Sequence, residues 1–354
     1  MPHPSRGGAV QGVTSVTIKD VARVAQVSVA TVSRALNGHG NVAEEVRRRV
    51  LAAANELRYT PHAAARSLSS RRTQTLGVVL PDLHGEFFSE LVRGIDQVAR
   101  EHRLHLLVSS YHGHPEEQGA ALRAMRGRVD GLLVMSPFVA SSSPLAEELA
   151  PTLPTVLINT QHATAGVISL GVDNYGGAVA MVEHLVASGH RRIAFIAGPS
   201  DNYDAHERLR GYRDALQRLL PDAEEWVLPG DFDEASGHQA GLELLGSKHR
   251  PDAVFAANDM MALGCLFVFA QGGVDVPGEI ALAGFDDIPL ARYVHPTLTT
   301  MRVNIAELGA RAARLLLTQI AGEALADEGR EALRPELIVR ASSASTESER
   351  SGRE

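Results

Sequence analysis

Residues Val16 to Asn37 read VTIKDVARVAQVSVATVSRALN, and no other stretch restricts the fold as tightly. Thr17 can cap a helix, with Asp20 three positions on to close a capping box. Ile18, Val21, Ala22 and Ala25 then share one helical face. Gln26-Val27 interrupts the pattern. Ser28 can cap a second helix running from Val29 to Leu36, which Asn37-Gly38 would stop. Two helices of about two turns each, joined by a tight turn, form the helix-turn-helix pattern, whose second helix enters the DNA major groove. The plainer reading is a helical pair that only packs. The rest of the chain argues against it.

The net charge of -8 first suggests a protein that avoids nucleic acid, but its distribution reverses that. Residues 17–72 carry a net +6, while residues 73–354 carry -15. A basic head on an acidic body is the charge footprint of a DNA-binding domain joined to another module. The length of 354 residues suits two or three domains. No apolar run is long enough to span a membrane. Residues 1–15 lack a signal-peptide core and read as a loose polar arm. The single cysteine, Cys265, lies in the apolar run LGCLFVF and reads as a buried thiol. These features point to the cytoplasm.

Asn41 to Leu57 reads as a third helix. Val42, Val46, Val50, Ala53, Ala54 and Leu57 recur at helical spacing and close a small core. Glu44 and Glu45 sit in its first turn, as the helix dipole favours. After Tyr59-Thr60-Pro61, the segment His62 to Leu68 has good helix propensity but is too short to persist alone. Such a segment suits folding on DNA. A basic linker, Ser69 to Thr73, follows.

Residues 16–72 resemble the DNA-binding head of the lactose-repressor/galactose-repressor (LacI/GalR) family. The matching pieces are T-I-K-D-V-A, V-S-x-x-T-V-S-R-x-L-N, R-x-R-V-L-A-A, L-x-Y-x-P and A-x-A-R-S-L. The resemblance implies DNA-contacting roles for Thr17, Ser28, Val29, Ala30, Thr31, Ser33, Arg34, Asn37, Tyr59, His62, Ala65 and Leu68. Val29 and Ala30 fall at base-reading positions, where small apolar side chains suit thymine methyls. Thr31, Ser33, Arg34 and Asn37 would hold phosphates or reach a base edge. Leu68 would wedge into the minor groove and kink the duplex. Two departures stand out. Gln26 occupies the turn position where the family usually has glycine, and a positive φ there would cost about 1 kcal/mol. His62 replaces a common asparagine.

From Thr75 onward the pattern changes to short apolar strands alternating with helices, in two successive series. Buried parallel sheets with helices on both faces are expected, as two α/β lobes. Small ligands in such folds bind beyond the carboxyl ends of the strands, here between the lobes. The family resemblance continues through G-V-V-L-P-D, V-D-N-x-x-G, R-x-x-G-Y, A-x-N-D-x-M-A-x-G, G-F-D-D and P-T-L-T-T.

It implies a small all-α helix-turn-helix head (16–60), a hinge helix and linker (61–73), and a two-lobed body (74–341) like periplasmic binding proteins. The N-lobe would be about 74–172 and 303–331, the C-lobe about 173–302 and 332–341, and 342–354 a disordered tail. Effector-binding residues would be Phe88, Asn159, Arg208, Asn258 and Asp286, with a sugar or sugar derivative as effector. For Asn258 and Asp286 the competing role is a helix N-cap. A third departure, Gly85-Glu86-Phe87-Phe88 in place of N-P-F-F, puts an acid near the pocket mouth.

No metal-ligand spacing, P-loop, G-x-S-x-G or strand-following G-x-G-x-x-G occurs, so neither catalysis nor a metal or cofactor is expected. The tail carries no leucine heptad, so a homodimer on a palindromic operator is expected, with no membrane partner. A solute-binding protein for transport and a ligand-free architectural DNA binder are the rival readings. The wedge role predicts that Leu68→Ala weakens operator binding more than non-specific binding. Parallel titrations on operator and scrambled duplex would check this, and equal losses on both would remove the role.

Overall fold

The computed structural model describes residues 16–36, 42–59, 72–138, 145–149, 153–160, 167–323 and 330–344. The chain divides into two compact units, residues 1–73 and 74–354.

In the first unit, α1 (Ile18–Val24), α2 (Val29–Leu36) and α3 (Glu44–Glu56) each pack against the other two. Val21, Ala22, Ala25, Val32, Ala35, Val50, Ala53 and Ala54 make the core. The capping residues do what their chemistry allows. The Asp20 carboxylate accepts from the Thr17 amide at 3.0 Å and its hydroxyl at 2.8 Å. These bonds, the backbone one foremost, hold its pKa below the ordinary value. The Ser28 hydroxyl accepts the Thr31 amide at 3.1 Å and starts α2. Gln26 in the turn adopts φ 53°, the left-handed conformation that a side chain disfavours.

The second unit holds two parallel sheets. β1 (Thr75–Leu80), β2 (His105–Ser110), β3 (Gly131–Met135), β4 (Thr155–Ile158), β5 (Ile168–Val172) and the late strand β11 (Arg330–Leu333) form the N-lobe sheet, in order β11-β5-β4-β3-β1-β2. β6 (Ile193–Ile196), β7 (Trp226–Leu228), β8 (Ala253–Ala256) and β9 (Ala281–Ala283) form the C-lobe sheet, in order β7-β6-β8-β9. Strands β1, β3, β4, β6 and β8 are almost wholly buried, which is why they read as continuous apolar runs.

The chain passes between the lobes three times. β5 leads into α7 (Asn174–Ala187), which packs on α8 (Tyr203–Leu219) of the C-lobe. β10 (Thr300–Arg302) leads back into α11 (Ile305–Ala321), which packs on α4 (Glu86–Glu101) of the N-lobe. β11 then leads into β12 (Glu336–Ile338), antiparallel to β10. The α4–α11 contact is close: a Cβ on Gly94 would stand 1.8 Å from the Ala306 carbonyl oxygen. The remaining helices are α5 (Pro115–Met125), α6 (Leu145–Glu148), α9 (Glu234–Gly246) and α10 (Asp259–Gln271), with a 3-10 turn at Pro289–Arg292. Cys265 is buried and unpaired on α10.

The expected disordered tail begins too early. Ser342 and Ser343 are buried. The Ser342 hydroxyl accepts the Thr299 amide at 2.8 Å and donates to the Leu282 carbonyl at 2.5 Å. The Ser343 hydroxyl bonds Thr299 Oγ1 and His184 Nε2, each at 2.8 Å. A polar sequence is not a loose one here, because the hydroxyls satisfy backbone groups at the edge strand β9. The remainder of the tail, the arm 1–15 and the hinge segment 60–71 lie outside the described residues.

The strained turn gives a direct test. Gln26→Gly should stabilise the head by about 1 kcal/mol, since glycine enters the left-handed region without penalty. A melting temperature of the isolated transition that does not rise would show that the turn relaxes another way.

Candidate effector pocket and DNA-reading face

In the head, Thr17, Ser28, Val29, Ala30 and Arg34 are exposed, while Thr31 and Ser33 are half-buried. The start of α2 thus presents small side chains, with Val29 41% exposed beside Ala30. Ser28 and Thr31 also bond each other at 2.9 Å, so both cap the helix they were expected to read with. Tyr59 is buried in the head's core. Asn37, His62, Ala65 and Leu68 lie outside the described residues.

In the body, a cavity of about 100 Å³ lies between the lobes. Pro81, Gly85, Phe87, Phe88 and Pro137 line it from the N-lobe, and Asp204, Arg208, Phe232, Asn258 and Asp286 from the C-lobe. These residues follow strand carboxyl ends or open the helices after them. A larger hollow of about 800 Å³ around Arg192, Ile193 and Trp226 sits at the opposite, amino ends of the C-lobe strands. Size alone does not make it the site, because none of the chemistry identified in the sequence is there.

Arg208 is the hub. It is 4% exposed. Its Nε donates to Asn174 Oδ1 at 2.8 Å, Nη1 to the Ala257 carbonyl at 2.5 Å, and Nη2 to Asp286 Oδ1 at 3.1 Å. The guanidinium lies 3.9 Å from the Phe285 ring centroid and 5.6 Å from that of Phe232. Asn174 Nδ2 donates to Asp204 Oδ1, and Asn159 Nδ2 donates to Asp204 Oδ2, each at 2.8 Å. Asn159 stands at the end of β4 in the N-lobe, so this chain of bonds crosses the cleft.

Of the five expected effector residues, the cavity brings together Phe88, Arg208, Asn258 and Asp286. Asn159 is not on the cavity wall; it is 2% exposed and reaches the pocket only through Asp204. Asn258 does cap α10: its Oδ1 accepts the Met261 amide at 3.0 Å while Nδ2 donates to the Phe232 carbonyl at 2.8 Å. Asp286 caps no helix. It takes φ 114° and turns its carboxylate to Arg208. Glu86 stands between the lining residues Gly85 and Phe87 but is not itself on the cavity wall. Its Oε2 accepts the Leu290 amide of the opposite lobe at 3.1 Å. The Tyr203 amide also crosses the cleft, to the Pro137 carbonyl at 2.5 Å.

Asp204, Asn174 and Phe232 were not anticipated. Asp204 precedes Arg208 by one helical turn, and that i, i+4 spacing was the available signal. Phe232 follows β7 as Asn258 follows β8, and that placement was the available signal.

Next to the pocket, Asp259 is fully buried and accepts from Thr300 Oγ1 at 2.6 Å and the Ile288 amide at 2.9 Å. Burial, with Asp286 adding, pushes its pKa well up. Asp286 itself is pushed up to about 6 by burial, against the pull of Arg208. For Asp287 burial acts upward too, but bonds from Arg302 and Arg340 outweigh it and hold the pKa low.

Residues 17–62 match the bacterial regulatory proteins of the lacI family, and residues 182–343 match a periplasmic binding protein-like domain. The transcriptional regulator GalR of Salmonella typhimurium (strain LT2) is 39% identical over 92% of this chain and 95% of that protein. The chain belongs to the lacI family. The ribose operon repressor of Escherichia coli K12 is another lacI-family relative, 38% identical over 92% of this chain and 99% of its own length. A crystal structure of the lac repressor dimer, bound to operator and an anti-inducer, superposes with a TM-score of 0.83 at 31% identity, covering 93% of this chain and 99% of that one. This lacI-family chain is therefore a DNA-binding regulator with a ligand-responsive body.

The raised pKa of Asp286 has a signed consequence. A carboxyl protonated more readily when folded than when unfolded stabilises the fold at low pH. That contribution is lost as pH rises from about 4 through about 6. Asp286→Asn should remove this component, so the melting-temperature difference between wild type and variant should change across pH 4 to 6. A constant difference would show that Asp286 titrates normally.

Proposed function

We propose that the protein is a cytoplasmic transcriptional repressor, without catalytic activity, that binds a palindromic operator as a homodimer. A sugar-like effector held between the lobes controls it. The observation that carries the reading is the pairing, in one chain, of an exposed helix start at Ser28, Val29 and Ala30 with a buried polar hub at Arg208. The first suits phosphate and thymine-methyl contact, the second recognition of vicinal hydroxyls.

In this reading Val29 and Ala30 read bases. Thr17, Ser28, Thr31, Ser33, Arg34 and Asn37 position the head on the backbone. His62, Ala65 and Leu68 belong to the hinge that folds on DNA. Arg208, Asp286 and Asn258 meet the effector's oxygens, and Phe88 meets its ring. Asn159 acts through Asp204, as a strap between lobes. Because an effector shifts an equilibrium only by preferring one state, it must bind the closed and open lobes with different affinity. Support for the dimer comes from Leu290, Tyr293 and Phe267, which are 40%, 81% and 55% exposed and would be covered by a second copy. The lac repressor structure is likewise a dimer on its operator. Among the described residues, no helix is long and apolar enough to cross a membrane and no cluster could hold a metal ion.

The test is a fluorescence titration of the purified chain against the promoter region beside its gene. Binding at least a hundredfold tighter than to scrambled duplex is expected at moderate salt, in line with the usual specificity ratios of about 10³ or more. No preference for any promoter fragment would overturn the proposal.

A further inference from the structure

The ionisable groups that a ligand between the lobes would meet can be named. Asp204 and Asp286 on the cavity wall are 5% and 4% exposed, and the fully buried Asp259 stands behind Asp286. Against them, the one guanidinium among the described lining residues is Arg208, already bonded to Asn174, Ala257 and Asp286. No described lining residue is a lysine. The chain has only two, Lys19 in the head and Lys248, which lines the hollow at the amino ends of the C-lobe strands. The body stretches 139–144 (VASSSP) and 161–166 (QHATAG), beyond β3 and β4, contain neither lysine nor arginine. His84 also lines the cavity, with Nε2 3.8 Å from Glu234.

Helix amino termini are the remaining source of positive potential, and three open at this cavity, those of α4, α8 and α10. Two are capped from within: Asn202 accepts the Ala205 amide and Asn258 the Met261 amide. All three carry an acid in the first turn, Glu86, Asp204 and Asp259. Each amino terminus that would greet an anion therefore already carries an acidic side chain beside it.

We infer that the effector is an uncharged, single-ring polyhydroxy compound, a free monosaccharide rather than a sugar phosphate or sugar acid. This rests on the regulator reading of the pocket and narrows it. A phosphate would bring its charge between Asp204 and Asp286, where one guanidinium already paired with Asp286 and one histidine beside Glu234 would have to answer it, and a buried charge that is poorly partnered is strongly penalised. A neutral polyol instead donates hydroxyls to the two carboxylates and accepts from Arg208. Phe87, Phe88 and Phe232 supply flat apolar surface for ring faces. The cavity of about 100 Å³ falls below the ~300–1,000 Å³ of drug-sized pockets, which favours one ring over two.

The test uses the full chain, by calorimetry and thermal shift, with D-galactose, D-glucose and D-ribose, each beside its phosphate ester. At least one free sugar should bind, and its phosphate at least tenfold more weakly. Asp286→Asn, with its folding checked by circular dichroism, should narrow that gap by removing a carboxylate beside Arg208. A phosphate ester that binds wild type as tightly as its free sugar overturns the inference, and so does a panel in which nothing binds. A promoter titration on the same preparation separates the failures: specific DNA binding without sugar binding sinks only the effector class, whereas loss of specific DNA binding sinks the regulator reading.

Discussion

Burying a guanidinium costs several kcal/mol unless it is paired and its hydrogens are used, so Arg208 dictates much of what surrounds it. Its partners come from the first residue of α7, the end of β8 and the loop after β9. Each lies beyond the carboxyl end of a strand, where a parallel sheet leaves its loops free to carry chemistry. Phe285 beneath the guanidinium and Asp286 at its edge are adjacent in sequence, and the positive φ of Asp286 lets one loop serve both. The same side chains that keep the arginine satisfied thereby form the floor of the cleft. Asn174 and Asp204 extend the network to Asn159, so the N-lobe is tied to it through one amide.

Among the described residues, the bonds that hold the lobes together are of unlike kinds. Asn159 to Asp204 is buried, Tyr203 to Pro137 is backbone to backbone, and Glu86 to Leu290 is exposed at the edge. Behind them, Asp287 gathers Arg292, Arg302 and Arg340 from the 3-10 turn, β10 and the segment after β12. That carboxylate clamps two of the strands by which the chain passes between lobes.

Much of this was legible in the sequence because it depends on local rules. The head's three helices follow from caps and apolar spacing, and the left-handed turn at Gln26 from the departure at a usual glycine. Most strands were recognisable as apolar runs, whereas β10 and β11, with the sequences TMR and REAL, were not. Arg208, Asn258 and Asp286 were legible because strand ends locate them. What escaped depended on partners distant in sequence. Tyr59 joins the head's core, which no local apolar spacing announces. Asn159 and Glu86 face partners 45 and 204 residues away, in the other lobe, and no local pattern encodes that. Asp204 was hidden in a helix whose polar face looked like ordinary solvated surface.

The ordered serines past Ala341 bear on how the chain can be cut or extended. Leu282 pairs its amide with the Ser342 carbonyl, so these residues serve as a selvedge along a strand that would otherwise end in open hydrogen-bonding groups. A purification handle joined directly to Ala341 would remove that hem and bare the rim of the C-lobe sheet, inviting strand-to-strand adhesion between molecules. Joined after Ala344, it would leave the hem whole.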